Sequence, residues 1–226
     1  MEVLNELKNL AKANLKSFNE KLIPNTYPIL GVKIPELRAL AKKIALNNYD
    51  EFLINNPCHY FEEVMLEGLV NGYVKCDINK HLELLKNYVS KITDWALCDC
   101  SVSTYKFVKS NLTQVWNFVL PYYNSNNEFY IRFAVIMWLD YFVVEDYIDK
   151  VLELLKNFSS NFYYAKMGVA WLLSVCFVKF RDKTLNFLIN CKLDVFTFNK
   201  TISKCCESFR VTEQDKQLLK QLKKAQ

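Results

Sequence analysis

Residues 2–18 read EVLNELKNLAKANLKSF, and their apolar side chains recur about every 3.6 residues. The apolar positions are Val3, Leu4, Leu7, Leu10, Ala11 and Leu15. In a helix these side chains share one face, so the stretch predicts an amphipathic α-helix. The same spacing recurs through most of the chain and predicts an all-α fold.

Further helices are predicted along the chain. Residues 35–48, PELRALAKKIALNN, place Pro35 near the first helical position, where its missing N–H costs nothing. Asn127, Asp182 and Thr212 stand before later runs, where their side chains can accept bonds from the first backbone amides. The remaining helical runs are 60–74, 78–92, 111–123, 126–142, 145–158, 161–180, 182–191 and 212–224.

The order of these runs predicts the architecture. Roughly a dozen helices follow one another with short breaks, and helix pairs recur at intervals of about 35–40 residues, as in HEAT-like repeats. Such repeats stack side by side, so we expect a HEAT-like solenoid. The sequence contains no evident linker, and we assign residues 1–226 to a single domain.

Composition excludes several classes of protein. Only 4 Gly and 5 Pro occur in 226 residues, too few for the turns of an all-β sandwich. The net charge of +5, from 29 basic and 24 acidic residues, permits nucleic-acid binding without requiring it. No signal peptide or membrane span is evident, so we expect a cytoplasmic protein with reduced cysteines.

Cofactor and metal motifs are also missing from the sequence. The 4 Gly do not form a phosphate-binding loop, which argues against a nucleotide cofactor. His59 and His81 have no partners at metal-ligand spacing, so no metal site is predicted. We therefore expect the protein to work without a cofactor.

Three features remain as candidates for a functional site. Trp95 and Asp99 are separated by one helical turn and share a face; a helix cap is the alternative role for Asp94 or Asp99. Arg132 is a single cation in an apolar run. It either binds a DNA phosphate or forms an ion pair with Glu128 or Asp140. Trp171 lies in another apolar run and is a core or site residue.

These features belong to a wider resemblance that covers nearly the whole chain. The chain resembles bacterial DNA alkylation repair proteins of the AlkD type, which are built from HEAT-like repeats. The segments that carry the resemblance are ILGVKIPELRALAKKIA, TDWALCD, YIRFAVIMWLDYF, KMGVAWLLSVC and FNKTISKCCESFRVT, in the family's order. The resemblance implies a concave DNA-binding face and a glycosylase acting on N3- or N7-alkylated purines in duplex DNA.

The same resemblance assigns roles to individual residues. It makes Asp99 the catalytic carboxylate, Trp95 and Trp171 the rings that contact the lesion, and Arg132 a DNA phosphate ligand. Leu22 stands where the family has a DNA-contacting tyrosine, and Tyr27 follows it. Further phosphate contacts are expected from basic residues near these motifs, Lys33, Arg38, Lys42, Lys43, Lys166, Lys200 and Lys204.

The expected partner is double-stranded DNA containing alkylated bases, with no membrane and no obligate protein partner. When bound to DNA, the protein would be associated with the bacterial nucleoid. Two alternatives stay open. One is a HEAT-repeat protein that binds DNA without catalysis, and the other is a protein–protein scaffold, a common use of helical-repeat surfaces.

Overall fold

The computed structural model describes residues 2–23 and 26–224, and the regular structure in these ranges is helical throughout. The all-α prediction is confirmed. The α-helices of the first half are α1 (Glu2–Leu10), α2 (Ala13–Leu22), α3 (Ile34–Leu46), α4 (Tyr49–Asn55), α5 (Phe61–Tyr73), α6 (Ile78–Val89) and α7 (Trp95–Val102). The later α-helices are α8 (Leu112–Tyr123), α9 (Glu128–Met137), α10 (Glu145–Leu155), α11 (Tyr163–Lys179), α12 (Arg181–Asn190), α13 (Val195–Glu207) and α14 (Glu213–Gln221).

Two short helices of other types complete the described structure. Lys106–Ser110 form a 3-10 helix after α7. Trp138–Phe142 form a π-helix that continues directly from α9.

The predicted single helix over residues 2–18 is wrong, because the chain breaks between α1 and α2. Lys12 is extended, with φ −131° and ψ 122°. Its amide donates to the carbonyl of Gly31 at 2.9 Å, a bond to a distant segment that replaces a bond within a continuous helix. The apolar period runs on to Leu15 across the break, so periodicity alone could not reveal it.

The buried carboxylate of Glu62 on α5 organises the segment before α3. Glu62 is 0% exposed and accepts the amides of Leu30 at 2.9 Å, Gly31 at 2.7 Å and Val32 at 3.2 Å. A buried charge is tolerated when hydrogen bonds replace its water. Gly31 has φ +94°, and a Cβ there would lie 2.5 Å from the carbonyl oxygen of Lys12.

Contacts within the chain separate it into two compact units, Met1–Phe118 and Val119–Gln226, with the boundary inside α8. In the first unit, α5 packs against α3 and α7. Gly68 and Gly72 allow the close approach of α7 and of the turn that follows it, because added Cβ atoms would collide with the side chains of Ser101 and Thr104. The assignment of the whole chain to one domain stays a prediction.

In the second unit, α11 packs against both α9 and α13. This 17-residue helix is apolar on most of its surface, and Ala165, Val169, Leu172 and Cys176 are among its buried side chains. Being packed on two sides explains why it lacks a polar face. No helix in the described part of the chain is both long enough and apolar enough to cross a membrane.

The predicted helix caps are confirmed at two of three positions. The Asn127 side chain accepts from the amides of Phe129 and Tyr130, and Thr212 accepts from Asp215. Asp182 was wrongly predicted as a cap, because α12 begins one residue earlier. Its carboxylate accepts instead from the Arg181 guanidinium at 2.6 Å.

We predict that Gly31→Ala lowers the free energy of unfolding by about 2 kcal/mol or more, since the new side chain is strained at positive φ and meets backbone. Denaturant unfolding measures the change. Gly168→Ala, in the middle of α11, is the matched control, because its added Cβ would have its nearest contact at 3.4 Å. Wild-type stability in Gly31→Ala would contradict the role assigned to this glycine.

Candidate functional site

Asp94 is the residue that caps α7. Its Oδ1 accepts the amides of Ala96 at 2.8 Å and Leu97 at 2.9 Å, and the side chain is buried. An aspartate is among the best side chains for this position. The capping alternative therefore applies to Asp94, and Asp99 lies half-buried inside the helix.

Trp95 lies one turn before Asp99 on the same face of α7 and is also half-buried. Its indole Nε1 donates to the carbonyl of Leu22, the last residue of α2, at 3.2 Å. The Leu22 side chain is 49% exposed. The backbone of Leu22 thus contacts the first candidate tryptophan.

Tyr27 points to another part of the first unit. Its hydroxyl donates to the carbonyl of Lys91 at 3.3 Å, and the side chain is half-buried. Burial raises the pKa of this phenol above its ordinary value, with a further contribution from Cys58. Tyr27 is therefore neutral at physiological pH.

Arg38 on α3 reaches the C-terminal end of α7. Its Nη2 donates to the Ser103 Oγ at 3.0 Å, and the Ser103 amide donates to the carbonyl of Asp99 at 3.2 Å. Burial and the Asp99 carboxylate raise the pKa of the Cys100 thiol to about 11, and the Arg38 guanidinium opposes that rise. The Asp99 carboxylate and the Arg38 guanidinium therefore shift the pKa of the Cys100 thiol in opposite directions.

The other predicted basic residues of the first unit are exposed on or beside α3. Lys33 is at the N-cap position of this helix. Lys42 lies with its Nζ 5.3 Å from the ring centroid of Tyr73, and Lys43 forms an ion pair with Glu6 at 3.7 Å. Exposed lysines of this kind can move to meet a phosphate at low cost.

Arg132 in the second unit is buried, with 6% of its surface exposed. Its Nη1 donates to the carbonyl of Tyr164 at 2.8 Å, and Glu128, one turn earlier on α9, accepts the amide of Tyr164 at 2.6 Å. An added Cβ at Gly168 on α11 would lie 3.7 Å from Nη1, an ordinary van der Waals distance, so the arginine packs beside this part of α11. The two side chains thus join the first turn of α11 to α9.

Trp171 lies on α11 and is 38% exposed, although most of that helix is buried. Its carbonyl accepts the hydroxyl of Ser174 at 2.7 Å. The lysines of the second unit that were predicted as phosphate ligands are half-buried on α11 and α13, namely Lys166, Lys200 and Lys204. Arg132 and Trp171 therefore lie on packed neighbouring helices, as Trp95 and Asp99 lie on one helix of the first unit.

A family model described as DNA alkylation repair enzyme matches residues 3–204. The chain belongs to this family. Comparison with curated proteins and with solved structures found no significant match. Family membership confirms the resemblance to DNA alkylation repair proteins and assigns the chain to DNA alkylation repair, with DNA as its partner.

Two contacts around the candidate site residues of this chain were not predicted from the sequence. Ser103 binds Arg38, and the Leu22 carbonyl binds Trp95. Ser103 is one turn after Asp99, a spacing that could have drawn attention to it. In the described residues, no group of three or more His, Cys, Asp or Glu side chains is arranged to hold a metal ion.

We predict that Arg132→Ala lowers the free energy of unfolding by about 2–3 kcal/mol, since it removes a donor to Tyr164 and leaves a cavity beside Gly168. Urea unfolding measures this loss. Lys220→Ala removes the same charge from an exposed position and serves as control.

The salt dependence of duplex binding tests the phosphate role predicted for Arg132 from the sequence. Loss of one phosphate contact would lower the slope of log K against log salt by about 1. Wild-type stability in Arg132→Ala, together with such a lower slope, would make Arg132 a phosphate ligand and not a link between helices.

Proposed function

We propose that this protein is a monofunctional DNA glycosylase that hydrolyses the N-glycosidic bond of N3- or N7-alkylated purines in duplex DNA. The observation that carries the proposal is the division of roles on α7. Asp94 caps the helix, while Asp99 shares a partly exposed face with Trp95. Membership of the family supports DNA as the partner and alkylation damage as the target.

The chemistry needs a carboxylate near the sugar. Alkylation at N3 or N7 gives the purine a positive charge and makes it a good leaving group. As the glycosidic bond stretches, the bonding electrons go to the base and positive charge develops on the deoxyribose. Asp99 stabilises this oxocarbenium-like transition state and orients the water that attacks the sugar carbon.

The size of this effect is bounded by Coulomb's law. A unit charge about 4 Å away at an effective dielectric constant of about 20 contributes roughly 4 kcal/mol, or about a thousandfold in rate. The ground-state lesion is already cationic, so the differential stabilisation is smaller. The charge of Asp99 therefore accelerates the reaction only to the extent that the carboxylate lies closer to the sugar than to the base.

The remaining residues bind the damaged nucleotide and its flanking phosphates. Trp95 and Trp171 attract the cationic base through cation–π contacts of about 0.5–2 kcal/mol each. The proposed phosphate ligands are Arg132 and the basic side chains Lys33, Arg38, Lys42, Lys43, Lys166, Lys200 and Lys204. The proposal includes the HEAT-like stacking, the concave DNA-binding face and the cytoplasmic location expected from the sequence.

A second candidate function is DNA binding without base excision. It is favoured by Leu22, an aliphatic residue at the position where the resemblance places a DNA-contacting tyrosine. The internal hydrogen bond of Arg132 favours a protein scaffold, whereas the exposure of Trp171 favours a ligand-binding surface. Base release separates these functions.

We predict that Asp99→Asn sharply reduces release of 7-methylguanine from methylated duplex DNA, while DNA affinity stays within a few-fold of wild type. The amide keeps the shape of the side chain but removes its negative charge. Chromatography of released bases measures the rate. Asp146→Asn, a change at an exposed position on α10, is the matched control. Equal excision by Asp99→Asn would remove Asp99 from the mechanism.

A second prediction concerns the range of lesions. Because the mechanism relies on a leaving group that is already cationic, the protein should release 7-methylguanine and 3-methyladenine. It should release little uracil or 1,N6-ethenoadenine from matched duplexes, since those neutral bases need protonation to depart. Efficient uracil release would overturn the charge-based mechanism. Release of none of the four bases would favour binding without catalysis.

A further inference from the structure

Four aromatic side chains form a continuous row in the second unit. The centroids of Phe129 and Tyr164 are 5.6 Å apart, those of Tyr164 and Tyr163 are 5.2 Å apart, and those of Tyr163 and Phe196 are 5.9 Å apart. Each distance lies in the range of aromatic contacts in proteins. We call these four side chains the aromatic row.

The aromatic row follows one edge of a helical layer. Phe129 is in the first turn of α9, Tyr163 and Tyr164 begin α11, and Phe196 is in the first turn of α13. Since α11 packs against both neighbours and the first turns touch through their rings, the three helices begin at the same edge.

Part of the aromatic row faces solvent. Tyr163 is 52% exposed and Phe196 is 40% exposed, and the neighbouring Val195 is 37% exposed. Phe129 and Tyr164 are half-buried beneath them. A contiguous exposed aromatic surface costs free energy in water, so its presence points to a ligand.

The charges beside the aromatic row are arranged for an anion. Lys166 follows Tyr163 by one turn and Lys200 follows Phe196 by one turn, so each exposed ring has a lysine on the same helix face. The Lys166 Nζ lies 4.8 Å from the ring centroid of Phe196.

The acids at this edge are engaged with backbone amides. Glu128 accepts the amide of Tyr164 at 2.6 Å, and Asp194 accepts the amide of Thr197 at 3.1 Å. Their carboxylates are thus held at helix starts, and Lys166 and Lys200 place positive charge one turn further along α11 and α13.

We propose that the aromatic row binds the unpaired bases of single-stranded DNA, with Lys166 and Lys200 holding the phosphates. The proposal rests on DNA being the ligand of the proposed function, and it adds a second form of DNA. Bases in a duplex hide their faces by stacking on each other, whereas an unpaired base exposes a face to an aromatic ring. Lysine is depleted from the centres of protein interfaces, which disfavours a protein partner.

Binding of a single strand of about twelve nucleotides to the full chain tests the proposal, measured by fluorescence anisotropy of the labelled strand. Tyr163→Ala combined with Phe196→Ala should weaken binding about ten- to hundredfold. Tyr163→Trp and Phe196→Trp keep a stacking face and should bind as tightly as wild type. Phe209→Ala is the matched control, because Phe209 is fully exposed outside the aromatic row.

An abasic strand of the same length separates stacking from charge. It keeps the phosphates and lacks the bases, so the wild type should bind it weakly and the double variant should bind it no worse. Unchanged binding of the normal strand by the double variant, or equal losses for both strands, would overturn the proposal. The first result would leave a protein partner as the use of the aromatic row.

Release of 7-methylguanine from duplex DNA keeps this test distinct from that of the proposed function. Tyr163 and Phe196 have no part in the proposed excision, so the double variant should excise at the wild-type rate. Ring-dependent single-strand binding without base release would leave the aromatic row intact and overturn the glycosylase. If the wild type releases the base but does not bind single strands, the glycosylase proposal stands and the aromatic-row proposal is overturned.

Discussion

One buried carboxylate determines how the first unit presents its candidate residues. Glu62 accepts three consecutive amides and holds the segment around Gly31, whose carbonyl in turn accepts the amide of Lys12. This bond ends the first helical stretch and sets where α2 begins. The other end of α2 brings the Leu22 carbonyl to the Trp95 indole. Loss of the Glu62 contacts would therefore disturb the surroundings of Trp95, although Glu62 is not itself among the residues that the DNA is proposed to touch.

The second unit depends on a different kind of link. Glu128 and Arg132 are one turn apart on α9 and bind the amide and the carbonyl of one residue, Tyr164. Two charged side chains thus fix the start of α11 in both hydrogen-bonding directions. Because α11 carries Trp171 as well as Tyr163, this link sets the position of residues proposed to bind two forms of DNA. The buried charge of Arg132 therefore has a structural role, because it holds the start of α11 in place.

Helical periodicity predicted most of the fold, because most runs bury one apolar face within a single helix. It failed at Lys12, where a bond to a distant glycine ends the helix. It also passed over the seven-residue α4, which is too short for a clear period, and the thirteen-residue α13. The pairing of Trp95 with Asp99 was visible as a one-turn spacing. The burial of Arg132 was not, since its observed partner lies 32 residues away in the chain. Contacts of this range depend on tertiary packing that a local pattern does not contain.

The protection of the thiols has a consequence for a protein of a DNA alkylation repair family. Thiolate, not thiol, is the form that electrophiles attack. Burial and the Asp99 carboxylate raise the pKa of Cys100 to about 11, and burial with the Glu67 carboxylate raises that of Cys58 to about 12. At neutral pH the ionised fraction of Cys100 is therefore far below that of an ordinary cysteine. Burial and the carboxylate proposed to stabilise the transition state thus together keep the neighbouring sulfur in its less reactive form.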